Sequence, residues 1–321
     1  MRFLPTTEQR AFAASLDAML TAVGTPSVIR SWGEGDRTAG RALWSRIAEA
    51  GVFALAVPEV YEGVGPLPVE LTVAFVELGR HAVPGPLVET VAVCVLLAGL
   101  SDAGPAKRLL PGVVSGGTMA TVGARYALDG DAADAVLALR GEELWLTSGG
   151  TEPRASLDPA RRLTRPAPGG ELLSAVAPVA KALTWARLTT AAQALGVGLS
   201  LLDRTVAYVK QRQQFGVPVG SFQAVRHRLA DAKTALEFAR PLVFGAAVTL
   251  DPVDVAAART MACEAAYTTA RTALQLHGAI GYTAENDLSL WLTKARALHG
   301  SWGSPGECRA AVLDADTTPH R

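Results

Sequence analysis

Cysteine is scarce in this chain. Cys94, Cys263 and Cys308 are the full complement in 321 residues, widely spaced and forming no CxxC pair. An odd count at such spacing argues against a disulfide framework and fits a reducing compartment. An excess of either charge is also missing, since Lys plus Arg and Asp plus Glu both stand at 30. A balanced chain has no electrostatic reason to seek nucleic acid or anionic lipid. Long apolar runs are wanting too. The most apolar stretch, Val91 to Leu100, is about half of the roughly 20 residues needed to span a bilayer. Met1 to Arg10 contains no apolar signal core. There is no P-loop, nucleophile elbow, zinc motif or other metal-ligand spacing. These absences predict a cytoplasmic protein with no metal, nucleic-acid or membrane partner.

What is present is an ordinary globular composition, 49% hydrophobic and 19% charged. At this length the chain can bury a substantial core and form two or three subdomains. Residues 1–115 read as a helical domain. Thr7 is placed to cap a helix carrying Phe12, Leu16 and Leu20. Leu43, Ile47 and Ala50 form a second stripe before Gly51. Leu71, Phe75 and Leu78 form a third, stopped by Pro84–Gly85–Pro86. Val88 to Leu100 is nearly all apolar and is expected in the core of that bundle. Residues 116–180 change character. Glycine, proline and short β-prone runs (Ala135 to Leu139, Leu144 to Thr147, Leu172 to Val179) predict a small, shortened β-rich region with long turns. Arg154, Arg161, Arg162 and Arg165 fall there, either as a solvated basic edge or as an anion site.

Residues 181–321 return to helical periodicity. Leu188, Ala192, Leu195, Leu199 and Leu202 alternate steps of four and three, as do Phe222, Val225, Leu229, Ala232 and Leu236, and then Val255, Ala258, Ala262, Ala265 and Thr269. Asp251–Pro252 is a good helix start, with a capping carboxylate and proline at the first helical position. Leu288, Trp291, Ala295 and Leu298 suggest a fourth helix. The expected fold is therefore mainly α, with an antiparallel C-terminal four-helix bundle. Alanines and glycines in the stripes allow close helix approach and suit packing against another chain.

Two loop segments carry the chemistry. Arg212 is a permanently charged planar fork at a helix end, matched to phosphate. Phe215 offers a flat apolar face, Gly216 and Gly220 let the backbone turn sharply, and Gln223 offers both a donor and an acceptor. The second segment, Gln275–Leu276–His277–Gly278–Ala279–Ile280–Gly281–Tyr282, also ends a bundle helix. Together the Arg-x-x-Phe-Gly element, Gln223 and the Gln-x-x-Gly-x-x-Gly-Tyr element resemble the flavin-binding signature of the acyl-CoA dehydrogenase family. The resemblance extends over most of the chain, including Val57–Pro58–Glu59 to Gly65 in the N-terminal third.

The resemblance implies an FAD cofactor whose ADP half is held across a subunit boundary. Arg212 would meet the pyrophosphate, and Phe215 and Gln223 the adenosine end. Gln275, Gly278 and Ala279 would supply backbone at that end, Ala279 standing where the family commonly has a second glycine. The family's middle domain is fuller than residues 116–180 and uses threonine or serine against the flavin ring. Here Leu144–Trp145–Leu146–Thr147–Ser148 is similar to that element, but it follows Asp134–Ala135–Val136–Leu137, the wrong order. Either Thr147 or Ser148 still touches a flavin, or the region has lost those contacts and would hold the ring end poorly.

The family's reaction also needs a glutamate base to remove the proton next to the thioester. The position on the loop after the Gly-Tyr element is Trp302, followed by Gly303. The alternative position, before Arg187, is Ala186. Neither can accept a proton, so no catalytic residue is assigned. Substitutes within reach in sequence are Glu307 and His299, then Glu285; Glu285 and Asp287 also suit capping of the fourth helix. His227, between Arg226 and Arg228, suits a surface or interface role. The chain thus resembles the non-catalytic, degenerate subunit of actinobacterial heteromeric acyl-CoA dehydrogenases, some of which act in steroid breakdown. That resemblance implies a heterotetramer with a catalytic dehydrogenase subunit, an acyl-CoA substrate and an electron-transfer acceptor. Two other readings stay open: a self-sufficient homomeric dehydrogenase with a relocated base, and a structural subunit that has lost the flavin.

Overall fold

A computed structural model describes residues 5–317. Along the chain run α1 (Thr7–Val23), α2 (Thr25–Glu34), α3 (Thr38–Glu49), α4 (Pro68–Arg80), α5 (Leu87–Ala98) and α6 (Gly104–Val114). Six short strands follow: β1 (Ala120–Gly123), β2 (Ala127–Leu128), β3 (Ala135–Arg140), β4 (Glu143–Thr147), β5 (Leu163–Thr164) and β6 (Glu171–Ser174). Then come α7 (Val179–Gln211), the strands β7 (Gln213–Gln214) and β8 (Val217–Pro218), α8 (Gln223–Thr249), α9 (Pro252–His277), α10 (Leu288–Gly300) and α11 (Pro305–Thr317). The fold is mainly helical, with N-terminal helices, a small sheet region and C-terminal helices, as expected.

Two compact units interleave in sequence. One comprises Met1–Thr21, Thr72–Ala82 and Thr190–Arg321; the other comprises Ala22–Leu71 and Val83–Thr189. α4 and α7 each run through a boundary between them.

The second unit holds α2, α3, α5 and α6 and a four-stranded sheet of order β1-β3-β4-β6. β1 and β3 run parallel and the other pairs antiparallel, with Val136 opposite Thr147 and Arg140 opposite Glu143. α5 is buried from Leu87 to Leu97. That is why its sequence shows no polar stripe: it packs on α6 and on β1, where Thr90 Oγ1 donates to Ala120 O at 2.6 Å. The sheet is too small to enclose a core by itself, so the helix supplies one. Arg41 on α3 ties down the sheet edge through both oxygens of Asp134 (2.6 and 2.9 Å), and Asp134 also accepts from Met119 N at 2.8 Å.

The first unit is built on the long C-terminal helices. Close approach there depends on glycine. A Cβ on Gly79 would lie 2.1 Å from Gln193 O, and one on Gly196 would lie 1.9 Å from Val76 O, so α4 and α7 touch backbone to backbone. Trp291 on α10 is fully buried, donates to Arg80 O at 2.8 Å and carries the Arg204 guanidinium 3.6 Å above its ring. Arg259 on α9 is also buried and donates to two carbonyls at the end of α10, His299 O (3.1 Å) and Ser301 O (2.7 Å). It thereby caps that helix from a neighbouring one.

Several local expectations change. The cap of α1 is Thr6 rather than Thr7: Gln9 N donates to Thr6 Oγ1 and Thr6 N to Gln9 Oε1, a reciprocal capping box. Asp251 caps α9 as expected, accepting from Val253 N at 2.8 Å and Asp254 N at 3.2 Å. The β-prone run 172–179 forms strand only to Ser174, because Val179 already begins α7. α2 and α6 are additional N-terminal helices, and α11 follows the four expected at the C-terminus. No single helix among the described residues is long and apolar enough to cross a membrane.

Candidate functional site

Both signature segments lie in the first unit, and its helix ends position them. α7 stops at Gln211; Arg212 N still bonds Tyr208 O (2.9 Å), while Val219 N closes onto Arg212 O (2.8 Å). Between them β7 and β8 form a two-residue hairpin, with Gln213 opposite Pro218 and Gln214 opposite Val217. Its turn is Phe215–Gly216, both with positive φ (54° and 80°). That geometry matches the twist of the flanking strands. It costs a non-glycine residue on the order of 1–2 kcal/mol, yet a phenylalanine occupies it. Phe215 is 91% exposed and touches Phe222 edge-on at 6.3 Å. Below the hairpin, Arg226 Nε donates to Gly220 O (3.1 Å) and Ser221 Oγ to Pro218 O (2.7 Å). Gln223 then opens α8 in solvent. Arg212 is exposed, and no carboxylate among the described residues pairs with it.

The second segment begins where α9 ends. Gly278 has φ 63° and ψ −140°, and its N–H satisfies carbonyls of Leu274 and Gln275. A single helical turn, Gly278–Tyr282, follows. Gln275, Gly278 and Ala279 share an open cleft of about 630 Å³ with Thr268, Arg271 and Tyr282.

Two contacts fasten the segments to one end of the helices. Tyr208 stacks on His277 (centroids 4.2 Å, planes 17° apart), and Arg228 on α8 donates to Gln275 Oε1. His277 Nδ1 sits 2.8 Å from Ala273 O, and burial holds its pKa below the ordinary value. A neutral ring donating to that carbonyl fits both facts, so His277 serves as a strut. The cysteines are remote from such chemistry: all three are buried thiols, and burial pushes Cys94 and Cys263 up to about 12.

Sequence reasoning missed Arg271, Tyr208 and Arg228. The signal was available for two of them. Arg271 stands four residues before Gln275 and Tyr208 four before Arg212, one helical turn in each case, and so on the same face. Arg228 needed the pairing of α8 with α9.

The positions where a base was sought behave differently. Ala186 is fully buried. Trp302 lies just past α10 with φ 56° and is followed by Gly303 at φ 110°. Glu307 completes a capping box at the start of α11: its Oε2 accepts from Ser304 N at 2.5 Å, and its own N–H donates to Ser304 Oγ at 3.2 Å. His299 packs against Tyr267 (centroids 4.9 Å), and burial, then Arg296 and Arg259, lower its pKa. Glu285 is exposed. Asp287 holds the N-cap position of α10, as expected, but the side chain that accepts there is that of Asn286, from Leu288 N at 3.0 Å. His227 is exposed on α8.

In the second unit, Thr147 Oγ1 lies 2.9 Å from Val136 O and 3.0 Å from Gly149 O, and its one proton serves those carbonyls. Ser148 is exposed, and Trp145 Nε1 is taken by Glu143 at 2.9 Å beneath the Arg140 guanidinium. The residues present thus fit a diphosphate-bearing ADP half, through an unneutralised guanidinium, an exposed ring and a cleft with amide and backbone donors. In the β region the Thr147 hydroxyl proton and the Trp145 indole N–H are already engaged within the chain.

The sequence and the fold are similar to those of known proteins. Residues 6–117 match the acyl-CoA dehydrogenase N-terminal domain, and residues 177–304 match the acyl-CoA dehydrogenase C-terminal domain. The chain is 33% identical over 302 residues to the acyl-CoA dehydrogenase IpdE2 of Mycobacterium tuberculosis, covering 92% of each. Its fold is similar to that of the Tcur3481-Tcur3483 steroid acyl-CoA dehydrogenase G363A variant (TM-score 0.84, 25% identity, 96% of this chain and 97% of that one). It is also similar to a chain of the ChsE4-ChsE5 complex from Mycobacterium tuberculosis (TM-score 0.85, 25% identity, 100% of both). The protein belongs to the acyl-CoA dehydrogenase family, oxidoreductases that act on CH–CH bonds.

Proposed function

We propose that this chain is one subunit of a heteromeric FAD-dependent acyl-CoA dehydrogenase. It completes the ADP end of an FAD whose reactive ring is held by a separate, catalytic chain. One observation carries the reading: Arg212 and Phe215 are exposed on a strained, well-braced hairpin, Arg212 with no carboxylate partner among the described residues and Phe215 meeting Phe222 only edge-on. A guanidinium without a counter-ion beside an exposed aromatic face suits a nucleotide diphosphate supplied from outside.

An FAD held there would supply a hydride acceptor for the β-carbon of an acyl thioester. This chain's own residues bind and orient. Arg212 neutralises the diphosphate, Phe215 and Gln223 cover the adenosine, and Gln275, held by Arg228, turns its amide nitrogen to the same end. Gly278 and Ala279 let the backbone approach closely. In this reading the substrate's proton is not taken by this chain: Trp302 and Ala186 cannot accept one, and Glu307 is engaged in capping α11. That step falls to the partner. The likeness to a steroid acyl-CoA dehydrogenase and to a chain of the ChsE4-ChsE5 complex supports a heteromeric assembly and a steroid-derived acyl-CoA substrate; the heterotetramer and the electron-transfer acceptor are part of the proposal.

The test is co-expression with the catalytic partner and counting of FAD per assembly, for the wild-type chain and for Arg212→Glu. The wild type is expected to hold one FAD per catalytic chain. Arg212→Glu is expected to weaken FAD at least 10-fold while the assembly stays intact, since charge-assisted hydrogen bonds are worth about 1.5–3 kcal/mol. Bleaching of a flavin by acyl-CoA in this chain purified alone would defeat the proposal.

A further inference from the structure

A second cationic cluster lies in the second unit, on elements other than those that carry the signature segments. β2 pairs antiparallel with β5, Ala127 opposite Thr164 and Leu128 opposite Leu163. On its other side Leu163 bridges to Arg154, with Arg154 N donating to Leu163 O at 2.8 Å. Thr151 N donates to Arg165 O at 2.8 Å. These pairings gather four residues that are distant in sequence. The guanidinium carbons of Arg125, Arg154 and Arg165 lie 5.4, 5.9 and 5.6 Å from the centre of the Tyr126 ring, and Arg154 Nη1 donates to Tyr126 Oη at 3.4 Å. All three arginines are exposed, and none pairs with a carboxylate among the described residues.

By contrast, Arg37 and Arg162 share Asp131, and Arg108 pairs with Glu171. Three like charges on one phenol with no anion between them repel one another. The field is strong enough to lower the Tyr126 hydroxyl below its ordinary pKa, through the Arg165 hydrogen bond first and then through Arg154, Arg165 and Arg125. Beside the cluster opens a cleft of about 400 Å³ lined by Gly33, Pro153, Arg154, Ser156, Pro159 and Arg162. Arg162 keeps a buried Nε with no acceptor. A cleft of this size takes a nucleoside rather than a bare ion, and planar guanidinium donors match phosphate oxygens.

We propose that Arg125, Arg154 and Arg165, with Tyr126 and the adjoining cleft, form a binding site for a nucleoside phosphate: phosphate on the arginines, nucleoside in the cleft. Two sources share that chemistry, a free nucleotide and the 3′-phospho-ADP end of a CoA thioester. Only the second rests on the function proposed above.

The experiment is titration calorimetry on the full chain, with its partner where the two co-purify, using 3′,5′-ADP, CoA, adenosine and pyrophosphate. The same titrations are run on Arg154→Glu/Arg165→Glu and on Arg212→Glu. We expect 3′,5′-ADP to bind the wild type with affinity that falls as salt rises, adenosine and pyrophosphate each to bind at least 10-fold more weakly, and the double variant to lose at least 10-fold with an unchanged circular dichroism spectrum. CoA binding more tightly than 3′,5′-ADP assigns the site to the thioester substrate; equal affinity assigns it to a free nucleotide. Undiminished 3′,5′-ADP binding by the folded double variant, loss caused by Arg212→Glu alone, or pyrophosphate binding as well as 3′,5′-ADP would each overturn the inference. Because this readout needs neither flavin nor turnover, its failure is distinct from failure of the dehydrogenase reading.

Discussion

Glu77 on α4 is set between Asp17 of α1, His81 one turn away and Arg80. Its carboxylate stands 3.7 Å from Arg80 Nε, and ligand atoms of Asp17, Glu77 and His81 lie within 4.8 Å of one another. Burial raises its pKa to about 7, against the opposing pull of Arg80 and Arg240 and with help from Asp17. A carboxyl whose folded pKa lies above its unfolded value disfavours folding once ionised. The cost is absent below about pH 4.5, grows between 4.5 and 7, and is complete above 7. Glu77→Gln should therefore match the wild type in urea unfolding at pH 4. At pH 8 it should exceed it by up to about 3 kcal/mol, reduced by the loss of the Arg80 pair. A variant less stable than wild type at pH 8 would show that the ion pair outweighs desolvation. Glu307 makes a second residue-scale test. Glutamine can keep the capping box but cannot act as a base, so Glu307→Gln should leave both stability and the assembly's dehydrogenase rate within about twofold of wild type. Ser304→Ala should cost about 1 kcal/mol. Collapse of the rate in Glu307→Gln would revive the relocated base.

The helices of the first unit are held by approach distance as much as by apolar area. Gly79 and Gly196 allow α4 and α7 to meet at their backbones, and any Cβ there would sit about 2 Å from a carbonyl oxygen. Neither helix can yield without disturbing what it carries: Arg80 O receives the Trp291 indole, and α7 ends at Gln211, next to Arg212. Gly196→Ala should cost roughly 3 kcal/mol, at the upper end of overpacking effects, and be seen as a lowered midpoint in thermal unfolding. Gly141, in the turn between β3 and β4, is the control. Its φ is 66° but a Cβ would meet nothing, so Gly141→Ala should cost only about 1–2 kcal/mol for backbone strain. Equal losses at the two sites would mean that backbone conformation, and not helix approach, governs.

For the whole molecule the family assignment and the disposition of the site pull in one direction. The chain matches dehydrogenase domains at both ends, yet the proposed cofactor residues sit on exposed turns and the β region has its threonine engaged internally. Mixing is the corresponding experiment. The separately purified chain should be colourless, and flavin absorbance bleached by acyl-CoA should emerge only when it is combined with its catalytic partner and FAD. An assembly of the two wild-type chains that forms yet takes up no FAD when FAD is supplied would favour a purely structural subunit.

Much of this was legible along the chain because it depends on local pattern. The steps of three and four at Leu188 to Leu202 and Val255 to Thr269 wrote α7 and α9. Asp251–Pro252 wrote a cap, and Arg212, Phe215 and Gln275 wrote the family. The displaced cap at Thr6 and the strand ending at Ser174 were not legible, because neighbouring residues compete for the same local roles and backbone context decides between them. Sequence alone determined the family, the helical character and the lack of glutamate at positions 186 and 302. Tertiary structure decided which residues have partners. It engaged Thr147 and Glu307, stacked Tyr208 on His277, and gathered Arg125, Arg154 and Arg165 around one tyrosine while pairing Arg212 with no carboxylate among the described residues. The reason is physical: helix periodicity and capping are short-range, whereas whether a charge is neutralised depends on residues that only folding brings within a few ångströms.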